Sequence, residues 1–394
     1  MNICIFAKGL PVHITGGMEI HVKELVEGLI KRGHKVTIIT TKHPEGIKKE
    51  EKESLRIYYV GDKPLRYTKR FYKESAELFE RLNREKRFDV VHSQSTSGFG
   101  FAKFCHEKIP FIVTLHGTIK NEIKSALNSK SIKGLAVVSY LFYERIASPY
   151  VDKMTLKKSD KIIAVSNELK EDIKKQYKVP EEKLVVNPNG IDVNKFKPMN
   201  VEDLRRKWNL TNEKLIVSVG AINKQKGFHL LLKILPEILK EDKKVKLFIV
   251  GIGPYLQALK DMAVKLNISN NVIFTGKVSD EDLPKYYNLA DICVFPTLRM
   301  EGLPLVVPEA MACVKPVIAS RIGGIPTAIE NNKDGILIEP GNLKELKGKI
   351  LEVLRDEKLA KKLGENARKK VVERLSLDRM VEDTIKVYEE VLGG

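Results

Sequence analysis

Residues 3–40 decide the fold of this chain and read ICIFAKGLPVHITGGMEIHVKELVEGLIKRGHKVTIIT. The run Ile3–Ala7 is apolar without a period, which is typical of a parallel strand buried on both faces. Apolar residues then recur at helical spacing over Met18–Arg32, and Gly33 is a typical helix end. The next apolar run, Val36–Thr40, predicts a second strand. This order predicts a parallel sheet with helices on both faces, a doubly wound α/β fold.

The same alternation continues along the chain, whose 394 residues suit two domains. An Asn- and Pro-rich stretch, residues 187–200, interrupts it. We therefore expect an N-terminal domain over 1–195, a C-terminal domain over 196–375, and a final helix over 376–394 that packs back on the first domain. The other predicted strands are Val90–His92, Phe111–Leu115, Lys161–Val165, Leu215–Gly220, Lys246–Gly251, Val272–Gly276, Ile292–Pro296, Val317–Ser320 and Gly335–Glu339.

The composition narrows the class of protein. Lys and Arg number 69 against 51 Asp and Glu, a formal net charge of +18. A surface of this sign attracts phosphorylated substrates, anionic lipid or nucleic acid, although the same charge also keeps a protein soluble. We expect no secretory leader. The four cysteines lack metal-binding spacing and favour a reducing, cytoplasmic compartment: Cys4, Cys105, Cys293 and Cys313.

Three strand ends are followed by residues that suit substrate binding. Gly16-Gly17 precedes a helix, where backbone N–H groups favour a phosphate, and a plain tight turn is the alternative. His116 can bond a substrate hydroxyl or be a buried structural histidine. Lys224 and Lys226 begin a helix and can neutralise phosphate, or can form a solvated basic turn.

The strongest motif is the block EGLPLVVPEAMA over residues 301–312. Its two glutamates, Glu301 and Glu309, lie eight positions apart, the first in a loop and the second inside the following helix. A carboxylate accepts two hydrogen bonds, which suits the adjacent hydroxyls of a ribose. Leu303 and Leu305 can offer backbone N–H groups to a diphosphate.

Motifs of several other chemistries are missing. The chain has no Gly-x-Ser-x-Gly elbow and no His-Glu-x-x-His metal motif, and Gly251-Ile252-Gly253 lacks the third glycine of a dinucleotide fingerprint. We find no Asp-x-Asp pair that would chelate a metal–diphosphate complex. We therefore expect neither a nicotinamide cofactor nor a metal ion.

Taken together, these residues resemble the GT-B glycosyltransferases, specifically the large retaining family 4 (group 1 type). The resemblance covers nearly the whole chain. It rests on Gly16-Gly17, Glu19, Arg32–Val36, Asp89–His92, His116-Gly117, Ala164–Ser166, Pro188–Asp192, Lys226-Gly227, Phe274–Gly276, Ala290-Asp291, Pro296, the 301–309 block and Gly323–Pro326.

The resemblance implies two Rossmann-like domains facing a cleft, with the acceptor on the N-terminal domain and a nucleotide diphosphate sugar on the C-terminal domain. It implies that Lys226 neutralises the diphosphate, that Glu309 holds the ribose, and that Glu301 and His116 act at the transferred hexose-type sugar. The other implied substrate-binding residues are Gly16, Gly17, Leu303, Leu305, Asn189 and Val278. Amides and Lys226 would replace a metal in stabilising the leaving group.

Two positions depart from the family pattern. Ala221 stands where an Arg usually grips the diphosphate, and Thr327 stands where a Glu is common. Other readings stay open: another GT-B enzyme, such as an epimerase or a phosphorylase, or a nucleotide-sugar or polyanion-binding protein with weak or no transfer activity. Nucleic acid is not the expected partner.

The acceptor is a sugar or a lipid-linked molecule on this reading. Four lysines, Lys120, Lys124, Lys130 and Lys133, precede the apolar stretch Gly134–Tyr143. Such an arrangement suits a helix that lies on an anionic membrane surface, at the inner membrane face. The alternative is a basic loop before a core helix.

Overall fold

The computed structural model describes residues 1–14, 16–118, 121 and 150–393. They form two compact units. The first contains the described residues up to Gly190 and again from Leu377 onward, and the second is Ile191–Ser376. The expected boundaries after residues 195 and 375 lie close to these. The lysines and the apolar stretch proposed for a membrane surface, residues 120–143, fall outside the described residues apart from Asn121.

The first unit is built on an eight-stranded sheet in the order β3-β4-β2-β1-β5-β6-β7-β8. Neighbouring strands are parallel, except that β3 and β4 form an antiparallel pair. The strands are β1 Asn2–Phe6, β2 Lys35–Thr41, β3 Lys49–Lys52, β4 Leu55–Val60, β5 Val90–Gln94, β6 Phe111–Leu115, β7 Lys161–Ala164 and β8 Leu184–Val186. The helices are α1 Gly17–Lys31, α2 Lys69–Glu85, α3 Phe99–Phe104 and α4 Asn167–Tyr177.

The last helix of the chain, α13 (Leu377–Gly393), belongs to the first unit. It packs on α1, where a Cβ atom on Gly28 would lie 2.5 Å from the Val381 side chain. Glycine therefore permits this close contact between the two helices. Val381 and Tyr388 are fully buried. The end of the chain thus completes the core around β1 and α1.

The second unit has six strands, all parallel, in the order β11-β10-β9-β12-β13-β14. The strands are β9 Lys214–Val219, β10 Val245–Val250, β11 Val272–Gly276, β12 Ile292–Phe295, β13 Val317–Ser320 and β14 Ile336–Ile338. The helices are α5 Glu202–Lys207, α6 Phe228–Glu241, α7 Leu256–Lys265, α8 Leu283–Leu289, α9 Val306–Ala312, α10 Ile325–Ala328, α11 Leu343–Arg355 and α12 Glu357–Arg374.

Two parallel-sheet α/β units confirm the predicted fold class. Each strand predicted from the sequence is present, and Ser166 caps α4 by accepting a hydrogen bond from the Leu169 amide. Within the described ranges, none of the helices is long and apolar enough to cross a membrane.

Candidate functional site

The carboxyl end of the second sheet brings a basic turn against the loop that follows β12. Gly227, just before α6, has a φ of 78°, and a Cβ atom there would lie 1.9 Å from the Pro296 carbonyl oxygen. Only glycine fits at this position. The Leu298 amide donates to the Gln225 carbonyl at 2.7 Å. The turn that carries Lys226 is therefore fixed beside the loop that carries Glu301.

Lys226 and Glu301 form a close ion pair inside this unit. Lys226 Nζ lies 2.9 Å from Glu301 Oε1 and 2.7 Å from Oε2, and both side chains are about four-fifths buried. Arg299 Nε lies 3.6 Å from Glu301 Oε1. Two cations therefore converge on one carboxylate. The sequence interpretation missed Arg299, although a basic residue two positions before Glu301, in the same loop, was a visible signal.

The backbone of Glu301 is held by the Gly323-Gly324 turn. The Gly324 amide donates to the Glu301 carbonyl at 2.8 Å. Gly323 has a φ of 56°, and a Cβ atom on it would lie 2.3 Å from the same carbonyl oxygen. The glycines therefore allow the chain after β13 to pass against Glu301 and set its position.

Glu309 lies on α9 and is nine-tenths buried. The Tyr287 hydroxyl donates to its Oε2 atom at 2.6 Å. Burial raises the pKa of Glu309 to about 7, and the bond from Tyr287 offsets only part of that rise. Arg368 of α12 anchors the end of α9 by donating to the Ala312 carbonyl at 2.9 Å. Glu309 is thus a buried carboxyl that changes charge near neutral pH.

The other predicted donor residues lie along the same edge of the sheet. Leu305 immediately precedes α9 and Leu303 is buried just before it. Val278 is half-buried in the loop between β11 and α8. Ala221 and Lys224 are both exposed. A small recess beside Lys226 and Glu301 is closed by Phe295, Pro304 and Ile325, among others.

The sequence contains one Asp-x-Asp spacing, Asp280-Glu281-Asp282, which corrects the interpretation that found none. Asp282 is engaged by neighbours: Lys285 Nζ lies 2.7 Å from its Oδ1 and Ser279 Oγ lies 3.1 Å from its Oδ2. The described ranges contain no group of three His, Cys, Asp or Glu side chains placed to hold a metal ion. The expectation of no metal stays a prediction.

In the first unit, Gly16 precedes α1 and Gly17 begins it. The amino end of α1 already faces a carboxylate, because a Cβ atom on Gly16 would lie 2.6 Å from Glu19 Oε2. Burial raises the pKa of Glu19, which favours its neutral form. The predicted phosphate contact at Gly16-Gly17 therefore depends on this side chain.

His116 follows β6 and is half-buried. Its Nε2 atom lies 2.9 Å from Gln94 Oε1. Burial lowers the pKa of His116 to about 4, so the ring is neutral at pH 7. Among the described residues, nothing lies within 4 Å of the point where Gly117 would carry a Cβ atom. The Nε2 atom of the ring is therefore held by Gln94, while no described residue covers the backbone at Gly117.

Asn189 lies in the segment between β8 and the end of the first unit, and it is buried. Its neighbours are held by α13: Asn187 Nδ2 donates to the Met380 carbonyl at 2.9 Å, and the Gly190 amide lies 3.1 Å from Met380 Sδ. A wider recess at the amino ends of β1 and β2, beside Asn2 and Lys35, lies at the other edge of the sheet. Ligands of parallel sheets bind at the carboxyl edge, so this recess is not the candidate site.

Comparisons with known proteins agree with this architecture. Residues 200–370 match the family model described as glycosyl transferases group 1, and residues 15–195 match that of glycosyltransferase family 4. An uncharacterized glycosyltransferase of Methanocaldococcus jannaschii is 30% identical over 100% of both chains. The alpha-monoglucosyldiacylglycerol synthase of Streptococcus pneumoniae is 29% identical over 86% of this chain and 75% of its own.

Among solved structures, Anabaena Alr3699/HepE in complex with UDP has a TM-score of 0.79 at 18% identity, covering 99% of this chain and 100% of that chain. The same protein in complex with UDP-glucose has a TM-score of 0.76. At this identity the likeness concerns the fold. With the two family models and the full-length relative, it shows that the chain belongs to the group 1 glycosyltransferases, enzymes of the GT-B fold that depend on nucleotide sugars.

Proposed function

We propose that this enzyme is a retaining glycosyltransferase that moves a hexose-type sugar from a nucleotide diphosphate sugar to a sugar or lipid-linked acceptor without a metal ion. The observation that carries the proposal is the ion pair of Lys226 with Glu301, joined by Arg299. A diphosphate would take over Lys226, which frees the Glu301 carboxylate for hydroxyls of the sugar. Glu309 would accept hydrogen bonds from the ribose.

In the proposed reaction the anomeric carbon loses its bond to the diphosphate and gains a bond to the acceptor oxygen on the same face. The departing phosphate oxygen takes the proton of the acceptor hydroxyl. Negative charge develops on the diphosphate, where Lys226 and the Leu303 and Leu305 amides would stabilise it. His116 is neutral at pH 7, so its role would be a hydrogen bond to the sugar and not a charge.

The donor is identified by thermal unfolding in the presence of UDP-, GDP- and ADP-sugars. A ligand that binds only the folded state raises the apparent stability, so the accepted nucleotide should raise the Tm. The Lys226→Ala variant is the matched control and should show little shift. If none of these nucleotides protects the protein, the proposed donor class is wrong.

Retention is tested on the product. With the accepted donor and a simple acceptor alcohol, NMR coupling at the anomeric proton should show the anomeric configuration of the donor preserved. The inverted anomer would contradict front-face attack.

The Streptococcus relative is named as an alpha-monoglucosyldiacylglycerol synthase, which supports the inclusion of a diacylglycerol lipid among the acceptors that are tested.

Metal independence is tested with EDTA. After removal of divalent ions, the rate of sugar transfer should be unchanged because Lys226 and backbone amides would neutralise the leaving group. Asp280→Asn isolates the role of the Asp-x-Asp spacing and should leave the rate unaltered. A rate that falls with EDTA and recovers with Mg²⁺ would show that a metal performs this task.

The second candidate function is a nucleotide-sugar or polyanion-binding protein without transfer activity. Ala221 and the net charge of +18 favour it, since one diphosphate cation is missing while the surface attracts anions. Donor hydrolysis, or transfer to a panel of acceptors, distinguishes the two, because a binding protein leaves the donor intact in both assays. Flotation with anionic vesicles at low and high salt tests whether the 120–143 segment binds a membrane surface.

The proposed location is the cytoplasm, which the four free, buried cysteines support.

A further inference from the structure

Three histidine side chains converge in the first unit, each from a different element. His21 lies on α1, His92 on β5, and His116 follows β6. The His21 and His116 ring centroids are 4.7 Å apart, and the two rings are nearly perpendicular. Within the described residues, neither ring nitrogen of His21 has a hydrogen-bond partner. His21 therefore packs against His116 without competing for its hydrogen bonds.

A chain of hydrogen bonds connects His116 to the last helix of the protein. His116 Nε2 lies 2.9 Å from Gln94 Oε1. His92 Nε2 lies 2.7 Å from Thr114 Oγ1, and Gln94 Nε2 is 3.4 Å from the same ring nitrogen. His92 Nδ1 lies 2.6 Å from the hydroxyl of Tyr388 on α13.

Both rings in this network are neutral. Burial lowers the pKa of His92 to about 3 and that of His116 to about 4. A neutral imidazole has one N–H donor and one acceptor nitrogen, and its neighbours decide which nitrogen carries the proton. The partners in this network therefore set the tautomer of each ring.

Gln94 contacts both rings through opposite ends of one amide. With the amide in this orientation its Oε1 atom can only accept, so His116 would carry its proton on Nε2. Its Nε2 atom can only donate, which favours the facing His92 Nε2 as the acceptor nitrogen, with the Thr114 hydroxyl at 2.7 Å as a second donor to it. His92 then donates from Nδ1 to the Tyr388 hydroxyl. Rotating the amide of Gln94 by half a turn would require the opposite tautomer in His116 and would favour it in His92, so the amide couples the two rings.

We propose that Gln94 is a positioning residue that fixes the ring plane and the tautomer of His116, and that Tyr388 acts on His116 through His92 and Gln94. With Nε2 bound to Gln94, the His116 ring can offer a substrate only the unprotonated Nδ1 atom. The matching group on the substrate is a hydrogen-bond donor, such as a sugar hydroxyl. The consequence for turnover rests on the proposed function, whereas the tautomer does not.

The tautomers are measured directly by long-range ¹H–¹⁵N correlation spectra of the full-length protein labelled with ¹⁵N-histidine. His92→Gln and His116→Gln assign the signals. We expect a proton on Nε2 of His116 and on Nδ1 of His92. In Gln94→Leu, His116 should become a mixture of tautomers, while Gln94→Glu, which keeps an acceptor, should preserve the Nε2 proton. A proton on Nδ1 of His116 in the native protein would overturn the proposal.

Kinetics supply the second readout. Gln94→Leu should lower kcat by about tenfold or more while KM for the donor changes less than about twofold, because Gln94 is not among the proposed donor-binding residues. Gln94→Glu should restore most of kcat. Tyr388→Phe should lower kcat by about threefold. Tyr177→Phe, which removes a hydroxyl bonded to Asp152 at 2.6 Å, is the matched control and should leave kcat unchanged.

Failure of the proposed glycosyl transfer can be distinguished from failure of the positioning role of Gln94. If no donor is turned over, the proposed function is wrong, and the tautomer measurement still decides the role of Gln94. If transfer proceeds and Gln94→Leu has native kcat with an unaltered His116 tautomer, Gln94 does not position the ring and the proposal is wrong.

Discussion

Glu309 is a buried carboxyl whose charge changes near neutral pH, because burial raises its pKa to about 7. If the carboxylate form accepts the ribose hydroxyls, donor affinity should weaken as the pH falls below 7. The proton then occupies one of the acceptor sites. Between pH 8 and pH 6 the Kd of a nucleotide sugar should rise about tenfold, measured by calorimetry. In Glu309→Gln the affinity for the nucleotide sugar should be weak and independent of pH. If the Kd changed with pH equally in both proteins, Glu309 would not be the group that binds the ribose.

The same shift predicts the pH dependence of stability. The folded chain binds the Glu309 proton more tightly than the unfolded chain, in which the pKa of this carboxyl has its ordinary value of about 4.5. The cost of the buried charge is therefore absent below pH 4.5 and complete above pH 7, at roughly 3 kcal/mol. Glu309→Gln keeps an acceptor for Tyr287 and avoids that cost. It should raise the free energy of unfolding at pH 8 but not at pH 4.5, which urea titration measures.

Positions 299 and 221 test how a diphosphate would be held in the proposed site. Lys226→Ala should weaken nucleotide binding by about a hundredfold, because the diphosphate loses its proposed cation and lies beside Glu301, which keeps only the longer contact with Arg299. Ala221→Arg should strengthen binding by about tenfold if a cation is missing there. Unchanged affinity in a folded Ala221→Arg protein would show that Arg299 or Lys224 already fills the place. Nucleotide affinity measured after Arg299→Gln, in the native protein and in the Ala221→Arg variant, shows whether Arg299 or Lys224 fills it.

At the residue scale, the sequence was informative where chemistry and spacing coincide. Lys226 and Glu301 could be proposed as site residues because each follows a predicted strand, and the two side chains form an ion pair in the structure. The role proposed for Gln94 could not be predicted from the sequence, because it depends on one amide that contacts two histidine rings on or just after neighbouring strands. The support of Glu301 by Gly323 likewise depends on backbones that lie far apart in the sequence.

At the scale of elements, Gly227 joins α6 to the site. An alanine there would adopt a φ of 78° and place its Cβ atom 1.9 Å from the Pro296 carbonyl oxygen. Gly227→Ala should therefore lower the free energy of unfolding by about 3 kcal/mol or more and displace Lys226 from Glu301. Gly348→Ala, inside α11 with open space around it, is the matched control and should stabilise by about 1 kcal/mol. Equal Tm values in the two variants would contradict this account.

The sequence interpretation missed β3, β8 and α2 for two different reasons: the first two lack a readable pattern, and the third has one that was not used. The edge strand β3 reads KEEK and is wholly exposed, so it lacks the apolar alternation that marks a strand. The strand β8 has three residues, too few for a pattern. By contrast, α2 buries Phe71, Leu78, Phe79 and Leu82 at helical spacing, a readable signal that the interpretation did not use.

At the scale of the whole molecule, the two units differ in how the chain builds them. The second is one continuous segment, and its ends meet: the Ile191 amide donates to the Leu375 carbonyl at 2.8 Å. The first needs the end of the chain, because α13 supplies Val381 and Tyr388 to its core. A boundary near residue 190 was predictable from the Asn- and Pro-rich stretch. The hydrogen bond that Tyr388 of α13 makes to the buried His92 could not be predicted, because nothing in the local sequence of α13 indicates this partner.

This difference predicts how fragments of the protein behave. Residues 191–376 expressed alone should unfold cooperatively and bind the accepted nucleotide, since Lys226, Glu301 and Glu309 all lie within them. The same fragment with Lys226→Ala is the control for specific binding. Residues 1–190 alone should fail to fold, because the core around β1 and α1 lacks α13, whereas joining residues 377–394 by a flexible linker should restore a cooperative transition. Circular dichroism during thermal unfolding measures each case. A fragment 1–190 as stable as the joined form would show that α13 is dispensable to the first unit, and a fragment 191–376 that binds no nucleotide would place essential donor contacts outside the second.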